Sequence, residues 1–184
     1  MTIAAVSPRR VNHPKAQSSE ELLRQNGLLR APVDLDALAK RLGIDVTLDA
    51  LDDDISGFLI VKNAKAGICI NALHHPNRQR FTFAHELAHF VIHHSTKEEQ
   101  DDFYIDKSLL YLRGKQRGRS ESPMEREADQ YAASLLMPES LIRSWIQENN
   151  FNPSEEIDLY RLTMAFRVSE QAMQIRLSDL RIIK

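Results

Sequence analysis

The period of apolar and polar positions changes several times along this chain, and each change marks an element. Ser18 and Glu21 have capping-box spacing, and Gly27 stands where a helix C′ glycine belongs, which predicts a short first helix. Asp34 caps a second helix, whose stripe is Leu35, Leu38, Ala39 and Leu42 and whose end is Gly43. Ile44-Asp45-Val46-Thr47-Leu48 then alternates, as a half-buried strand does. Asp52-Asp53-Asp54 reads as a solvated turn. Gly57 to Lys62 and Ala66 to Asn71 read as a strand and its hairpin partner, joined through Asn63-Ala64-Lys65. The partner strand, near Ile68 to Ile70, is expected to offer an edge to an extended peptide.

From Pro76 through His94 the pattern predicts one long helix with Asn77 as its cap. Another begins at Ser122-Pro123, with proline at its first position, and stops at Met137-Pro138. A short helix over Glu139 to Gln147 ends at Asn149-Asn150. Helices over about Ser154 to Phe166 and Ser169 to Leu180 close the chain. The break Arg167-Val168-Ser169 between them gives a helix-turn-helix-like outline. Strands gathered between two short leading helices and a run of later ones predict an α+β fold, with a small antiparallel sheet packed on helices.

The 184 residues and 21.1 kDa support one domain with a small appendage. Residues 1–18 carry Arg9, Arg10 and Lys15 with no acid ahead of Ser18, and read as a loose arm. Residues 19–138 form the body. They include a polar stretch, 95–121, in which six acidic and six basic residues balance. That stretch reads as a long loop, with a short helix expected at Ser108 to Leu112. Residues 139–184 form a helical segment packed on the same body.

Composition narrows the class. Hydrophobic residues make up 42% and charged residues 27%, which excludes a fibrous or largely disordered chain. No run approaches 18 apolar residues, and Met1 to Arg10 lacks the apolar region of a secretory signal. Cys69 is the only cysteine, which excludes internal disulfides and Cys-rich zinc modules, and a cytoplasmic setting is expected. A net charge of −2 provides no global field toward nucleic acid or membrane.

The chemistry lies in Phe83-Ala84-His85-Glu86-Leu87-Ala88-His89-Phe90. His85 and His89 are i and i+4, so both imidazoles share a helix face and can hold one Zn²⁺. Glu86 lies about 100° round the helix, where it can reach a water on the metal without being a ligand. Phe81, Ala84, Ala88 and Val91 or Ile92 put an apolar face beside the motif. The group is therefore half-buried and needs partners. His93, one turn on, reads as a neighbour of the site or a surface residue. His74 and His75 precede the helix.

A catalytic zinc takes three protein ligands. Glu125 and Asp129 share a face at i, i+4 on the helix after Ser122. Glu125 is the favoured third ligand, and Asp129 is placed to accept a histidine's second N–H. Two alternatives stay open: Glu127 as ligand, and Glu125 as a mere capping-box residue of Ser122. For the oxyanion, Tyr104, Tyr131 and His75 are candidate donors.

Taken together, Arg80-Phe81-Thr82-Phe83-Ala84-His85-Glu86-Leu87-Ala88-His89, Glu125-Arg126-Glu127-Ala128-Asp129 and Leu135-Leu136-Met137-Pro138 resemble the ImmA/IrrE family of bacterial and phage metallopeptidases. The likeness covers most of Ser19 to Leu180. It implies a zincin-like domain, with His85, His89 and Glu125 as ligands of Zn²⁺ and Glu86 as catalytic base. It also implies a protein substrate: a helix-turn-helix repressor of the XRE type, encoded nearby, whose cleavage derepresses stress or mobile-element genes.

Two other readings share parts of this pattern. One is a DNA-binding regulator with a structural metal. Arg161 to Lys184 carries five basic and two acidic residues, a weak footprint that does not lead us to expect direct nucleic-acid binding. Packing of Leu162, Phe166, Met173, Ile175, Leu177 and Leu180 onto the body explains those helices better. The other is the toxin component of a two-gene module.

Overall fold

The computed structural model describes residues 18–62, 65–94, 104–105 and 123–183. The arm over 1–18, apart from Ser18, lies outside them. So does most of the stretch 95–121, including the helix expected at Ser108 to Leu112.

Helix α1 (Ser19–Gln25) starts where Ser18 Oγ accepts the Glu21 N–H at 3.2 Å. Only half of the capping box forms, because the Glu21 carboxylate turns to Arg24 and Gln25 instead. In α2 (Leu35–Leu42) Asp34 Oδ1 accepts from Ala37 N at 2.9 Å, and Gly43 closes the helix at φ 72°. That left-handed turn carries no Cβ penalty for glycine. Leu35, Leu38 and Ala39 of the predicted stripe are buried.

Strands β1 (Ile44–Asp49), β2 (Gly57–Lys62), β3 (Lys65–Asn71) and β4 (Tyr104–Ile105) form one sheet in the order β1-β3-β2-β4. The hairpin β2–β3 is antiparallel, with Gly57 opposite Ile70 and Lys62 opposite Lys65. The sheet is nevertheless mixed, not wholly antiparallel, because β1 pairs parallel to β3 from Ile44↔Ala66 to Asp49↔Asn71. The 50–56 connection reverses the chain but leaves a strand's width free, and β3 inserts there. This also removes the expected peptide edge at Ile68 to Ile70, since β3 is paired on both sides. Tyr104 and Ile105, expected within a loop, pair with Val61 and Ile60 on the outer side of β2.

Alternate residues of β3 (Ala66, Ile68, Ile70) are buried, as is Leu59 of β2, the period a sheet covered on one face requires. Helix α3 (Pro76–His89) packs against both strands. Its start is held by Gln79, whose Nε2 donates to the carbonyls of Asn71, Ala72 and His74. Asn71 is fully buried and donates to Ile55 O at 2.8 Å, tying the strand end to the turn that carries the exposed Asp52, Asp53 and Asp54.

Helices α4 (Pro123–Leu136), α5 (Glu139–Asn149), α6 (Glu156–Phe166) and α7 (Glu170–Asp179) complete the fold. α4 lies against α3, and the Ser19–Ser134 hydroxyl contact at 2.8 Å joins it to α1. Leu162, Phe166, Met173 and Leu177 are buried in the common core and Leu180 is packed against it. Ile175, expected among them, is 57% exposed, because it falls outside the buried face that Met173 and Leu177 define on α7.

Gly57 is a close point between sheet and helix. A Cβ there would lie 2.6 Å from both Cys69 O and Thr82 Cγ2. Gly57→Ala is therefore expected to cost about 2 kcal/mol of stability, as overpacking typically does. A urea unfolding curve would show it, and an unchanged midpoint would mean that α3 and the sheet are not so closely apposed.

Candidate metal centre

The long helix expected from Pro76 through His94 is α-helical to His89 and π-helical over Phe90–His94. Single π turns often sit at functional sites, and a 3.6-residue pattern in sequence cannot reveal one. Its cap is His75, not Asn77. His75 Nδ1 accepts the Asn77 N–H at 3.2 Å, and Pro76 fills the first position, where an N–H would lack a partner anyway.

His85, Glu86 and His89 are 2%, 0% and 0% exposed. Residues on this stretch of α3 are buried all round, by the sheet on one side and α4 on another. Buried alanines on both helices, Ala84 and Ala88 on α3 and Ala128 and Ala132 on α4, suit a close approach. That approach brings Glu125, in the first turn of α4, onto the two histidines. His85 Nε2 and His89 Nε2 are 2.9 Å apart, Glu125 Oε2 lies 3.3 Å from His85 Nε2, and Glu125 Oε1 lies 3.5 Å from His89 Nε2. One donor atom from each residue falls within 4.8 Å of the others.

The two carboxylate–imidazole separations fit a shared metal ion, while the histidine nitrogens, at 2.9 Å, would need to part by a few tenths of an ångström to hold one. Donors about 2.0–2.2 Å from one tetrahedral ion lie roughly 3.3–3.6 Å apart. Two imidazoles and one carboxylate are also the donor set of an open, catalytic site rather than a closed, structural one. His85 Nδ1 donates to Asp129 Oδ1 at 2.8 Å, which turns Nε2 toward Glu125 and His89.

Of the remaining candidates, Glu127 is exposed and lies about 200° round α4 from Glu125, so it cannot share the site. The capping-box alternative for Glu125 yields likewise, since its carboxylate is spent on the histidines. Tyr131 follows Asp129 by two residues, which turns it roughly 160° away, and its phenol is pushed up to about 12 by burial. His75 precedes His85 by ten residues, about 15 Å along the helix axis. Tyr104 lies in β4, and its side chain is outside the described part. His93 stacks 5.5 Å from His89, and burial, then the neighbouring His89, holds it below the usual histidine range. His74, in the loop before α3, has Nε2 3.4 Å from Asp53 O.

Charges are tightly coupled here. Burial pulls the His85 imidazole down, but its hydrogen bonds to Asp129 and Glu125 and the Glu86 charge outweigh it and hold the group at about 10. Burial pushes Glu125 up, yet its bonds to His85 and His89 and their charges keep it far below the usual carboxylate range.

An α+β zincin-like domain with a His-His-Glu donor set defines a metallopeptidase-type protein. The comparison with known families agrees: residues 39–178 match the IrrE N-terminal-like domain of the peptidase M78 family, and the chain belongs to that family. No curated protein matches. Among solved structures, a Mycobacterium tuberculosis transcriptional regulator shares the fold with a TM-score of 0.54 and 16% identity, over 87% of this chain and 44% of that one. The chain thus spans less than half of that regulator's length.

Two outcomes follow. Asp129→Asn should keep the fold and weaken zinc affinity roughly 10- to 100-fold, measured by chelator competition. Because His85 is protonated without metal and must give up its Nε2 proton to bind it, zinc uptake at neutral pH should release about one proton. Calorimetry in buffers of different ionisation enthalpy measures this, and a buffer-independent heat would contradict the assigned proton.

Proposed function

We propose that the chain is a zinc-dependent endopeptidase that cleaves a helix-turn-helix repressor of the XRE type, thereby derepressing stress or mobile-element genes. The observation that supports the chemistry most directly is the convergence of His85, His89 and Glu125, with the Glu86 carboxylate buried beside them on the same helix. A bound zinc ion would supply Lewis-acid polarisation of the scissile carbonyl and a more acidic water. Glu86 takes a proton from the attacking water and delivers it to the leaving amine. Glu86 is fully buried, one residue along the helix from the ligand His85. Asp129 keeps His85 in the tautomer that leaves Nε2 free for the metal.

The family supports peptide-bond hydrolysis in general terms. The repressor as substrate, encoded beside this chain and met in the cytoplasm, rests on the resemblance carried by the two motifs and the Leu-Leu-Met-Pro segment. No helix among the described residues is long and apolar enough to cross a membrane. Metal identity rests on the donor set, which zinc suits best but which Mn²⁺ or Fe²⁺ also accepts.

Glu86→Gln tests the mechanism. The variant should bind zinc like the parent and lose at least about 100-fold in the rate of repressor cleavage, followed by gel and mass spectrometry. Cleavage at the parent rate would remove Glu86 from the mechanism. Salt-dependent binding to duplex DNA without any cleavage would put the regulator reading in its place.

A further inference from the structure

On another side of α3 lies a second concavity, of about 510 Å³, within the size range of small-ligand sites. It is bounded by the Arg30–Asp36 segment, by Arg80 of α3 and by Arg167 at the α6–α7 corner. Arg80 precedes His85 by five residues, roughly 140° round the helix, so this concavity does not belong to the metal centre.

Its charge is unusual. Three arginines, Arg30, Arg80 and Arg167, share one small cavity with Asp34 and Asp36. Among the described residues, none of the three forms an ion pair with a carboxylate. Asp34 is committed to capping α2 through Ala37 N, and Asp36 is exposed. Arg80 donates one N–H, from Nη2, to Val33 O at 2.7 Å. Its Nε is buried and lacks a hydrogen-bond partner among the described residues. Burial, and then the charge of Arg167, depress the Arg80 guanidinium, with Asp36 and then Asp34 acting the other way, so the two cations sense each other across a partly compensated site. Guanidinium groups on the walls of one cavity, none of them paired with a carboxylate among the described residues, are an arrangement that an anion completes. Guanidinium forks match the paired oxygens of phosphate and carboxylate groups, and such charge-assisted bonds are the strong ones.

We propose that this cavity is a binding site for a small oxyanion ligand, a phosphorylated or carboxylate-bearing metabolite held between Arg80 and Arg167 with Arg30 at the rim. Its occupation joins three parts of the fold: the segment before α2, the helix that carries the metal ligands, and the α6–α7 corner. The proposal is independent of peptidase activity.

The test is binding of inorganic phosphate, and separately of succinate, to the full chain. It is followed by thermal shift and by the Arg80 Nε–Hε resonance, against chloride at matched ionic strength. Saturable binding in about the millimolar range or tighter is expected for at least one of the two, with the Arg80 resonance moving. Whichever binds more tightly tells whether the natural ligand carries phosphate or carboxylate. Arg167→Asn tolerates the positive φ of 54° at that position and should weaken binding about tenfold. Arg80→Lys, which keeps the charge but loses the fork, should weaken it similarly. Glu125→Ala should leave it intact, which separates this cavity from anion capture at the metal centre. The assignment is overturned if neither anion differs from chloride, or if Arg167→Asn binds as tightly as the parent.

Discussion

Holding two buried imidazoles and a part-exposed carboxylate within a few ångströms of one another is the demand around which this protein is organised. Charged groups removed from solvent are costly unless each meets a partner of opposite sign or a metal. His85, His89 and Glu125 meet that condition only while α3 and α4 lie side by side, and Asp129 adds a further link from α4. The cluster is thus both the chemical centre and the polar seam between the two helices that carry it. Small side chains along those helices make the seam possible, because bulkier ones would hold Glu125 out of reach.

The sheet acts as the back wall of that centre. Its covered face presses on α3, and the contact of Gly57 with Thr82 leaves no slack. At the other end, Gln79 and Asn71 convert a strand end, a turn and a helix start into one hydrogen-bonded unit. A helix fixed at its start, along its length and beside its last turn can hold a metal site within the narrow tolerance such chemistry needs. The C-terminal helices then close the core with Leu162, Phe166, Met173 and Leu177. The Arg167 corner between α6 and α7 is where the second cavity opens.

Much of this was legible in the order of residues. Caps and stops such as Ser18, Asp34, Gly43, Met137-Pro138 and Ser169 act through hydrogen bonds a few residues long, so local sequence determines them. His85, Glu86 and His89 share a helix by spacing alone, and Glu125 with Asp129 does too. The motifs were therefore enough to indicate the family to which the chain belongs.

What local order could not decide was which surfaces meet. Nothing in an alternating pattern tells β3 to insert between β1 and β2, because strand order depends on the length and path of the 50–56 connection. The choice of Glu125 over Glu127 needed the rotational setting of α4 against α3. The cavity bounded by Arg30, Arg80 and Arg167 joins residues from three distant segments, and its character comes from partners those arginines lack among the described residues. Short-range physics wrote the elements and the donor pairs into the sequence, whereas long-range packing alone determined how they converge.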